Sequence, residues 1–240
     1  GPVVLNSTST LCEVPPVPSI TNVYSSSITI SINTGVNNSY WSKYSIKVTS
    51  GVSSTPQYVQ ANGALNTVAI YQTTATWTNS IFIIGLIPNT THTISVSAQN
   101  SNNVNTLYGA EVSTSTLCVL PIAGVYTVNQ TSITASWLSG GNPSGTEYYC
   151  QRSTSSDFTL TADGGWATAI STNSESLTRN TTYYFRVKSR NNNFVETIGY
   201  VSLGSTVTLC EVPPVPSLTS VSTSSIIFGI NAGSDNPYWS

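Results

Sequence analysis

A nine-residue run, LCEVPPVPS, occurs at residues 11–19 and again, letter for letter, at 209–217. The similarity continues beyond the run, because 21 of the 32 residues at 11–42 are identical to those at 209–240. A looser copy, LCVLPIAGV, lies between them at 117–125. Internal similarity of this kind requires repeated folding units, and it constrains the interpretation of every other pattern in the chain.

The spacing of the copies predicts two different domains in each period. The outer copies are 198 residues apart, and the middle copy starts 106 residues after the first and 92 before the third. We therefore predict complete domains at 11–117 and 118–209.

The similarity also continues backwards, since GPVVLNSTSTLC at the start of the chain aligns with GYVSLGSTVTLC at 199–210. Residues 1–10 are interpreted as the last strand of a preceding repeat, and 210–240 as the first strands of a following, incomplete one. Donation of the strand 1–10 to a neighbouring chain is an alternative.

Apolar residues alternate along several segments, each with one apolar face: SITISI at 27–32, KYSIKVTS at 43–50, TISVSAQ at 93–99 and YYFRVKS at 183–189. This period of two is typical of β-strands. Clusters of Gly, Asn, Pro and Ser separate the segments, and no helical stripe is evident. The sequence predicts an all-β protein of tandem antiparallel β-sandwiches.

Particular residues resemble the fibronectin type III family. The segments LIPNTTHTISVSAQN (86–100) and LTRNTTYYFRVKSRN (177–191) are similar to the family's sixth strand and the turn before it. Trp137 in SITASW matches its strand-B tryptophan, and EYYCQRSTSSDF (147–158) resembles its strand C. The resemblance covers both domains and both fragments, and it implies immunoglobulin-like sandwiches. In the first domain, Ile32 takes the strand-B position.

The resemblance also gives the only histidine a structural role. His92 takes the position of the family's corner tyrosine, which is Tyr183 in the second domain. We expect its ring to hydrogen-bond to the backbone, as a corner tyrosine does. The three Asp and six Glu are scattered, and no metal-ligand spacing, phosphate-binding glycine loop or nucleophile motif is present. The sequence therefore predicts no enzyme activity, no cofactor and no metal site.

Charge is scarce, at 7% of residues with a net charge of −2, while 39% of residues are hydrophobic. This composition predicts a folded chain without a nucleic-acid partner. No apolar run approaches 18 residues, so this segment is not expected to insert into a membrane. Arg186, Lys188 and Arg190 form a basic ladder on one strand. We interpret this ladder as a solvated face that pairs across strands, with Glu147 as the nearest candidate partner, in preference to a binding site for a polyanion.

Four cysteines permit several pairings. Cys12, Cys118 and Cys210 occupy equivalent positions at domain starts, whereas Cys150 is additional. Strand parity places Cys150 inward, as a small buried hydrophobic residue. A Cys118–Cys150 disulfide and bonds between chains remain alternatives.

Asn-x-Ser/Thr sequons indicate a possible glycoprotein. With so much Asn, Ser and Thr, chance alone produces several. Asn89 and Asn180 share the turn before the sixth strand, which we expect to be exposed, and are the favoured sites. The sequons lie at Asn6, Asn37, Asn89, Asn129 and Asn180.

The domain junctions carry further signals. Pro15, Pro16 and Pro18 stiffen the chain and protect an edge strand from pairing. Trp41 and its repeat Trp239 follow strand B, and we predict that this tryptophan packs against the preceding domain. Burial in the ordinary core is the alternative.

Together these features predict an extracellular or cell-surface structural array: a stalk, an adhesin shaft or a filament. Its partners would be neighbouring repeats of the same chain and copies of itself, with glycans possible. One alternative is a spacer in a secreted carbohydrate-active enzyme. Another is a carbohydrate- or protein-binding module that uses exposed aromatic residues such as Trp77 and Trp166.

Overall fold

The computed structural model describes residues 8–51, 53–78, 80–231 and 233. Two sandwiches and a hairpin account for its strands. The first sandwich contains β1 (Ser19–Val23), β2 (Ser27–Ser31), β3 (Lys43–Ser50), β4 (Ser53–Val59), β5 (Leu65–Asn66), β6 (Gln72–Thr73), the one-turn helix α1 (Thr74–Trp77), β7 (Ile81–Ile84), β8 (Thr91–Gln99) and β9 (Val112–Ser115).

The second sandwich and the hairpin follow in chain order. They contain β10 (Ile122–Val128), β11 (Ile133–Leu138), β12 (Glu147–Ser153), β13 (Thr161–Ala167), β14 (Ser171–Ser174), β15 (Thr182–Arg190), β16 (Val201–Val207), β17 (Ser217–Val221) and β18 (Ile226–Gly229).

The first sandwich consists of two antiparallel sheets. One has the order β1-β2-β7, and the other has the order β5-β4-β3-β8-β9 with β6 paired to β3. Strand β8 pairs with β3 along the full length of β3, with Ile46 opposite Val96. The residues at alternate positions of these strands point into one core, as the sequence predicts. This core comprises Ile28, Ile30, Tyr44, Ile46, Val48, Val59, Trp77, Ile81, Ile83, Leu86, Ile94, Val96 and Ala98.

The second sandwich repeats this plan with sheets β10-β11-β14 and β13-β12-β15-β16. Its core comprises Ile133, Ala135, Trp137, Tyr148, Cys150, Leu177, Tyr183, Phe185, Val187 and Leu203. The prediction of tandem antiparallel sandwiches is confirmed, and α1 is a single turn.

The two cores obtain their tryptophan from different elements. Trp137 lies on β11 and its ring centroid is 5.9 Å from that of Tyr148. In the first sandwich Trp77 comes from α1, is 4% exposed, and its indole Nε1 donates to the Tyr44 carbonyl at 2.8 Å. Both tryptophans thus lie beside the first inward tyrosine of the third strand of their sandwich. Trp77 is not an exposed aromatic residue, so the prediction that it forms a binding surface is wrong.

The proline-rich segment forms no strand in the first sandwich. Pro15 and Pro18 are buried, Pro16 is half-buried, and β1 begins at Ser19. Strand β1 pairs with β2 alone, so the prolines precede an edge strand. A Cβ atom on Gly109 would overlap the Pro15 carbonyl, so this close passage requires glycine.

By compactness the chain divides into two units. The first is Gly1–Val119 with Gly141–Thr146 and Arg190–Thr197, and the second is Leu120–Gly140, Glu147–Ser189 and Ile198–Ser240. Two loops that connect strands of the second sandwich therefore belong to the first unit.

Within the part of the chain that the structure describes, no helix has the length and apolar character needed to cross a membrane.

Candidate functional site

The segment that leads into the first sandwich is held by an asparagine clamp. Asn38 accepts a hydrogen bond from the Glu13 amide at 2.7 Å and donates from Nδ2 to the Glu13 carbonyl at 2.9 Å. Its Nδ2 also donates to the Thr34 carbonyl at 2.8 Å, which ties the clamp to its own loop. One side chain therefore satisfies both backbone groups of the residue after Cys12.

A second asparagine holds the same segment two residues before Cys12. Asn100 donates from Nδ2 to the Thr10 carbonyl at 3.0 Å. Its Oδ1 accepts from the amides of Asn102 and Val104, which fixes the loop after β8. Asn102 donates in turn to the Thr8 hydroxyl at 3.3 Å.

The same two clamps recur where the chain leads into the second sandwich, among residues of the first compact unit. Asn142 accepts from the Val119 amide at 2.9 Å and donates to the Val119 carbonyl at 2.7 Å. Asn191 donates to the Thr116 carbonyl at 3.1 Å, and its Oδ1 accepts from two amides of its own loop. The incoming segments that these clamps hold share the sequence TSTLC at 8–12 and 114–118.

A third asparagine joins this arrangement from the turn before β8. Asn89 has φ of 44° and is 4% exposed. Its Nδ2 donates to the Thr146 hydroxyl at 2.8 Å, and its Oδ1 accepts from the Asn192 amide at 2.7 Å. The prediction that Asn89 is an exposed glycosylation site is therefore wrong, because its amide nitrogen is buried and already donates.

The Asn-Thr sequence at this turn has a backbone function. The Thr90 hydroxyl donates to the Pro88 carbonyl at 3.1 Å, and the Thr181 hydroxyl donates equivalently to the Arg179 carbonyl at 2.9 Å. Asn180 repeats the left-handed φ of its counterpart, at 47°. The sequons at Asn89 and Asn180 thus coincide with a turn that needs asparagine and threonine for its own geometry.

The remaining sequons differ in placement. Asn37 and Asn129 are exposed and Asn180 is half-buried. Asn6 lies outside the described residues.

Trp41 lies beside the first pair of clamps, in the loop between β2 and β3. Its side chain is 73% exposed and its ring makes an edge contact with Tyr40, with ring centroids 5.3 Å apart. The alternative of ordinary core burial is excluded by this exposure. The neighbouring cavity has a volume of about 310 Å³ and is lined by Ser9, Thr10, Leu11, Cys12, Asn37, Asn38, Ser39, Trp41, Ser42, Asn100 and Ser101. Trp239 lies outside the described residues.

The cysteines form no disulfide within the described part of the chain. Cys150 is buried in the second core, and burial raises the pKa of its thiol to about 12. The alternative Cys118–Cys150 bridge is therefore absent from this structure. The three equivalent cysteines differ in exposure: Cys118 is buried, Cys12 is half-buried and Cys210 is exposed.

The corner position distinguishes the sandwiches. The Tyr183 hydroxyl accepts from the Thr178 amide at 3.0 Å, which closes a tyrosine corner. His92 is 3% exposed, and among the described residues neither ring nitrogen makes a hydrogen bond of the close geometry that the Tyr183 hydroxyl has, so the interaction with the backbone predicted for it is at most a weak one. Burial lowers the pKa of His92, and the backbone of Ile87 opposes this shift to a smaller extent.

The basic ladder on β15 lies over aromatic rings. The Arg186 guanidinium is 4.2 Å from the ring centroids of both Phe158 and Tyr200. Lys188 lies 4.8 Å from the Tyr200 centroid and 5.6 Å from that of Trp166. These half-buried cations stabilise the outer face of the second sandwich through cation–π contacts.

The clamp asparagines were missed by the sequence prediction. A signal was present, because Asn38 recurs as Asn236 in the outer repeat and the TSTLC segments are identical. That signal does not show what the asparagine contacts.

In the described residues, no three His, Cys, Asp or Glu side chains come close enough together to hold a metal ion. The strand order and the two packed cores define a tandem of fibronectin type III-like sandwiches.

Comparison with known proteins agrees with this class. The chain matches no protein family model and no curated protein. It is similar to a two-domain fibronectin type III segment of chicken tenascin, with a TM-score of 0.51, 17% identity, and coverage of 82% of this chain and 100% of that chain. The FN1–FN3 domains of chicken CNTN1 give a TM-score of 0.39 and 15% identity, over 93% of this chain and 76% of that chain. The likeness to the tenascin segment shows the fibronectin type III fold.

Proposed function

We propose that this chain is a segment of an extended tandem array in which two types of β-sandwich alternate, with the domains at 11–117 and 118–209. The array serves as an extracellular structural element, such as a cell-surface stalk, an adhesin shaft or a filament. Its partners are neighbouring repeats and copies of itself.

The observation that carries this proposal is the recurrence of the asparagine clamps. Asn38 with Asn100, and Asn142 with Asn191, make the same backbone contacts to two incoming segments of the same sequence. A catalytic or ligand site does not need to be repeated at every domain start, whereas a repeating connection does. Low surface charge and abundant Ser and Thr are compatible with dense packing or sugar cover.

Imaging of the native assembly tests this function. We expect a periodic structure whose repeat contains two sandwiches of unequal length. Sandwiches that occur without periodic neighbours would contradict the proposal, and an adjoining hydrolase domain would favour the spacer alternative.

The carbohydrate-binding alternative now depends on Trp166, which is half-buried and lies near Lys188. Binding to a glycan array that disappears with Trp166→Ala would favour it over the structural function. Because Trp77 is buried, Trp77→Ala is not an informative variant for this alternative.

A further inference from the structure

The two ends of each sandwich can be compared between the two types. We define the N-terminal pole as the loops 33–42 and 100–104 in the first sandwich, and 138–146 and 191–195 in the second. Ser42 and Thr146 occupy the same place in this pole, because each amide donates to the carbonyl three residues earlier. Both residues are buried.

The C-terminal pole is the Asn-Thr turn with the last strand: 86–91 with 115–119, and 177–182 with 207–211. Thr116 and Thr208 are equivalent within it. The Thr116 hydroxyl donates to the Ile87 carbonyl at 2.6 Å, and the Thr208 hydroxyl donates to the Thr178 carbonyl at 2.7 Å. The C-terminal poles of both sandwich types are therefore built alike.

The first compact unit shows how a C-terminal pole meets an N-terminal pole. Asn89 donates to Thr146 and accepts from the amide of Asn192. The counterparts of those two residues in the first sandwich are Ser42 and Ser101, and both line the cavity of about 310 Å³ beside Trp41. The cavity thus lies at the place where an Asn-Thr turn would insert its asparagine.

The two C-terminal poles differ in charge at two positions. In the first C-terminal pole Pro88 precedes Asn89, and Val119 ends the segment after the last strand. The equivalent residues in the second C-terminal pole are Arg179 and Glu211, which form an ion pair at 3.7 Å.

The N-terminal poles differ at the facing positions. The first carries the exposed pair Tyr40–Trp41, and the second carries Ser144–Gly145. A cation at the position of Arg179 therefore belongs to one type of C-terminal pole, and the exposed Tyr40–Trp41 pair belongs to one type of N-terminal pole.

We propose that the N-terminal pole of the first sandwich is the docking surface for the C-terminal pole of a second-type sandwich, that of the preceding repeat. The asparagine equivalent to Asn180 enters the cavity and hydrogen-bonds to Ser42. The arginine equivalent to Arg179 stacks on Trp41 and pairs with Glu13, which takes the place of Glu211. This inference rests on the proposed function.

The consequence is that the order of the repeats is encoded at their poles. A first-type C-terminal pole has Pro88 and no cation for Trp41. A second-type N-terminal pole has Gly145 in the place of Trp41, and its Phe194 ring already lies under Arg190, 4.8 Å from the guanidinium. Each type is therefore matched to the other type, and a sandwich followed by its own type loses the stacked pair.

Cysteine labelling in a chain of two periods tests the proposal. Residues 1–208 followed directly by 11–240 keep the 198-residue spacing and create one internal junction of the proposed kind. Its cysteine lies in a unique peptide, so its reaction with a maleimide can be followed separately by mass spectrometry. We expect this cysteine to react slowly, like buried Cys118, and roughly tenfold or more slowly than exposed Cys210 in the same molecule.

Variants identify the contacts. Asn180→Gly keeps the positive φ but removes the amide, and Arg179→Leu removes the cation; each, made in the first period, should raise the junction cysteine's rate toward that of Cys210. The matched control Asn89→Gly should raise the rate of Cys118 in its own period instead. Slow labelling of Cys150 shows that the second sandwich stays folded in each variant.

A junction cysteine that reacts as fast as Cys210 in the parent two-period chain would overturn this inference. The same holds if neither Asn180→Gly nor Arg179→Leu changes its rate. If Cys118 also reacts rapidly in the parent chain, the ordered array itself fails. The two proposals are therefore distinguished by which cysteine is unprotected.

Discussion

The two sandwiches share their main strand plan and the asparagine clamps of their N-terminal poles, but they fill and close their cores differently. The second uses Trp137 on β11 and a corner made by Tyr183, whereas the first has Ile32 and His92 at those positions and takes its tryptophan from α1. The clamp contacts recur at both domain starts, whereas these core residues do not recur. This difference indicates that the connection constrains the repeat more tightly than the core, in which apolar volume can come from different elements.

Removal of either tryptophan should give the largest effect and test whether the two cores are independent. Trp77→Ala and Trp137→Ala should each destabilise their own sandwich by about 3–5 kcal/mol, because each leaves a large cavity. Urea unfolding followed by NMR separates the two transitions. Equal loss in both sandwiches from one substitution would contradict independent cores.

The phenylalanine variants sharpen this comparison. Trp77→Phe also removes the hydrogen bond to the Tyr44 carbonyl, whereas the Trp137 indole nitrogen has no hydrogen-bond partner among the described residues. We therefore expect Trp77→Phe to cost about 1 kcal/mol more than Trp137→Phe. The same urea titration measures the difference.

Substitution of the clamp asparagines should give the next largest loss of stability, and the loss should differ between the two clamps. Asn142→Ala removes both bonds to half-buried Val119 and should destabilise the folded chain by about 1–3 kcal/mol. Asn38→Ala removes the same two bonds to exposed Glu13 and should cost less, because water replaces them. Hydrogen exchange at the Val119 and Glu13 amides checks this order, with Asn129→Ala as the exposed control.

A lower pH should destabilise the first sandwich and not the second, because the residues at their corner positions differ. Burial lowers the pKa of His92 in the folded chain, so below the ordinary value of 6.5 the unfolded chain binds a proton that the folded chain does not. The stability of the first sandwich should be complete above pH 6.5. It should fall as the pH drops below that value, by at most about 1.4 kcal/mol per pH unit.

His92→Phe should remove this dependence from the first sandwich. The second sandwich has no histidine and serves as the internal control, and thermal melts between pH 7 and 5 provide the measurement. Equal acid sensitivity of both sandwiches would show that the histidine is not its source.

The smallest effect is expected at the surface cations. Lys188→Gln removes contacts with Tyr149, Trp166 and Tyr200 and should destabilise the second sandwich by about 0.5–2 kcal/mol. Lys47 in the first sandwich pairs with half-exposed Glu111 and lies over Tyr108, so Lys47→Gln should cost about 1 kcal/mol or less. Urea unfolding of each variant tests whether the cation–π contacts of the basic ladder stabilise the second sandwich more than Lys47 stabilises the first.

The sequence predicts those parts of the fold that depend on local alternation. The inward positions of β3, β8 and β15 follow from their period of two. Trp77 could not be placed, because a single helical turn has too few residues to show a period. The burial of His92 follows from its alignment with Tyr183. An imidazole is shorter than a phenol, however, so the sequence alone does not show whether its ring reaches the backbone group that a corner tyrosine bonds.

The candidate site was less predictable for a different reason. An Asn-Thr-Thr sequence is read equally well as a sequon and as a turn, and only the three-dimensional contacts of Asn89 distinguish the two. The clamp asparagines occur in a chain rich in asparagine, so their composition gives no contrast with the surrounding loops.

The clamp at Val119 has a mechanical consequence. Asn142 holds both the amide and the carbonyl of the residue through which the chain enters the second sandwich. If the chain is loaded along its length, we expect these two side-chain hydrogen bonds to break before the longer backbone ladders of the sheets. They can then re-form when the load is removed, while each sandwich stays folded.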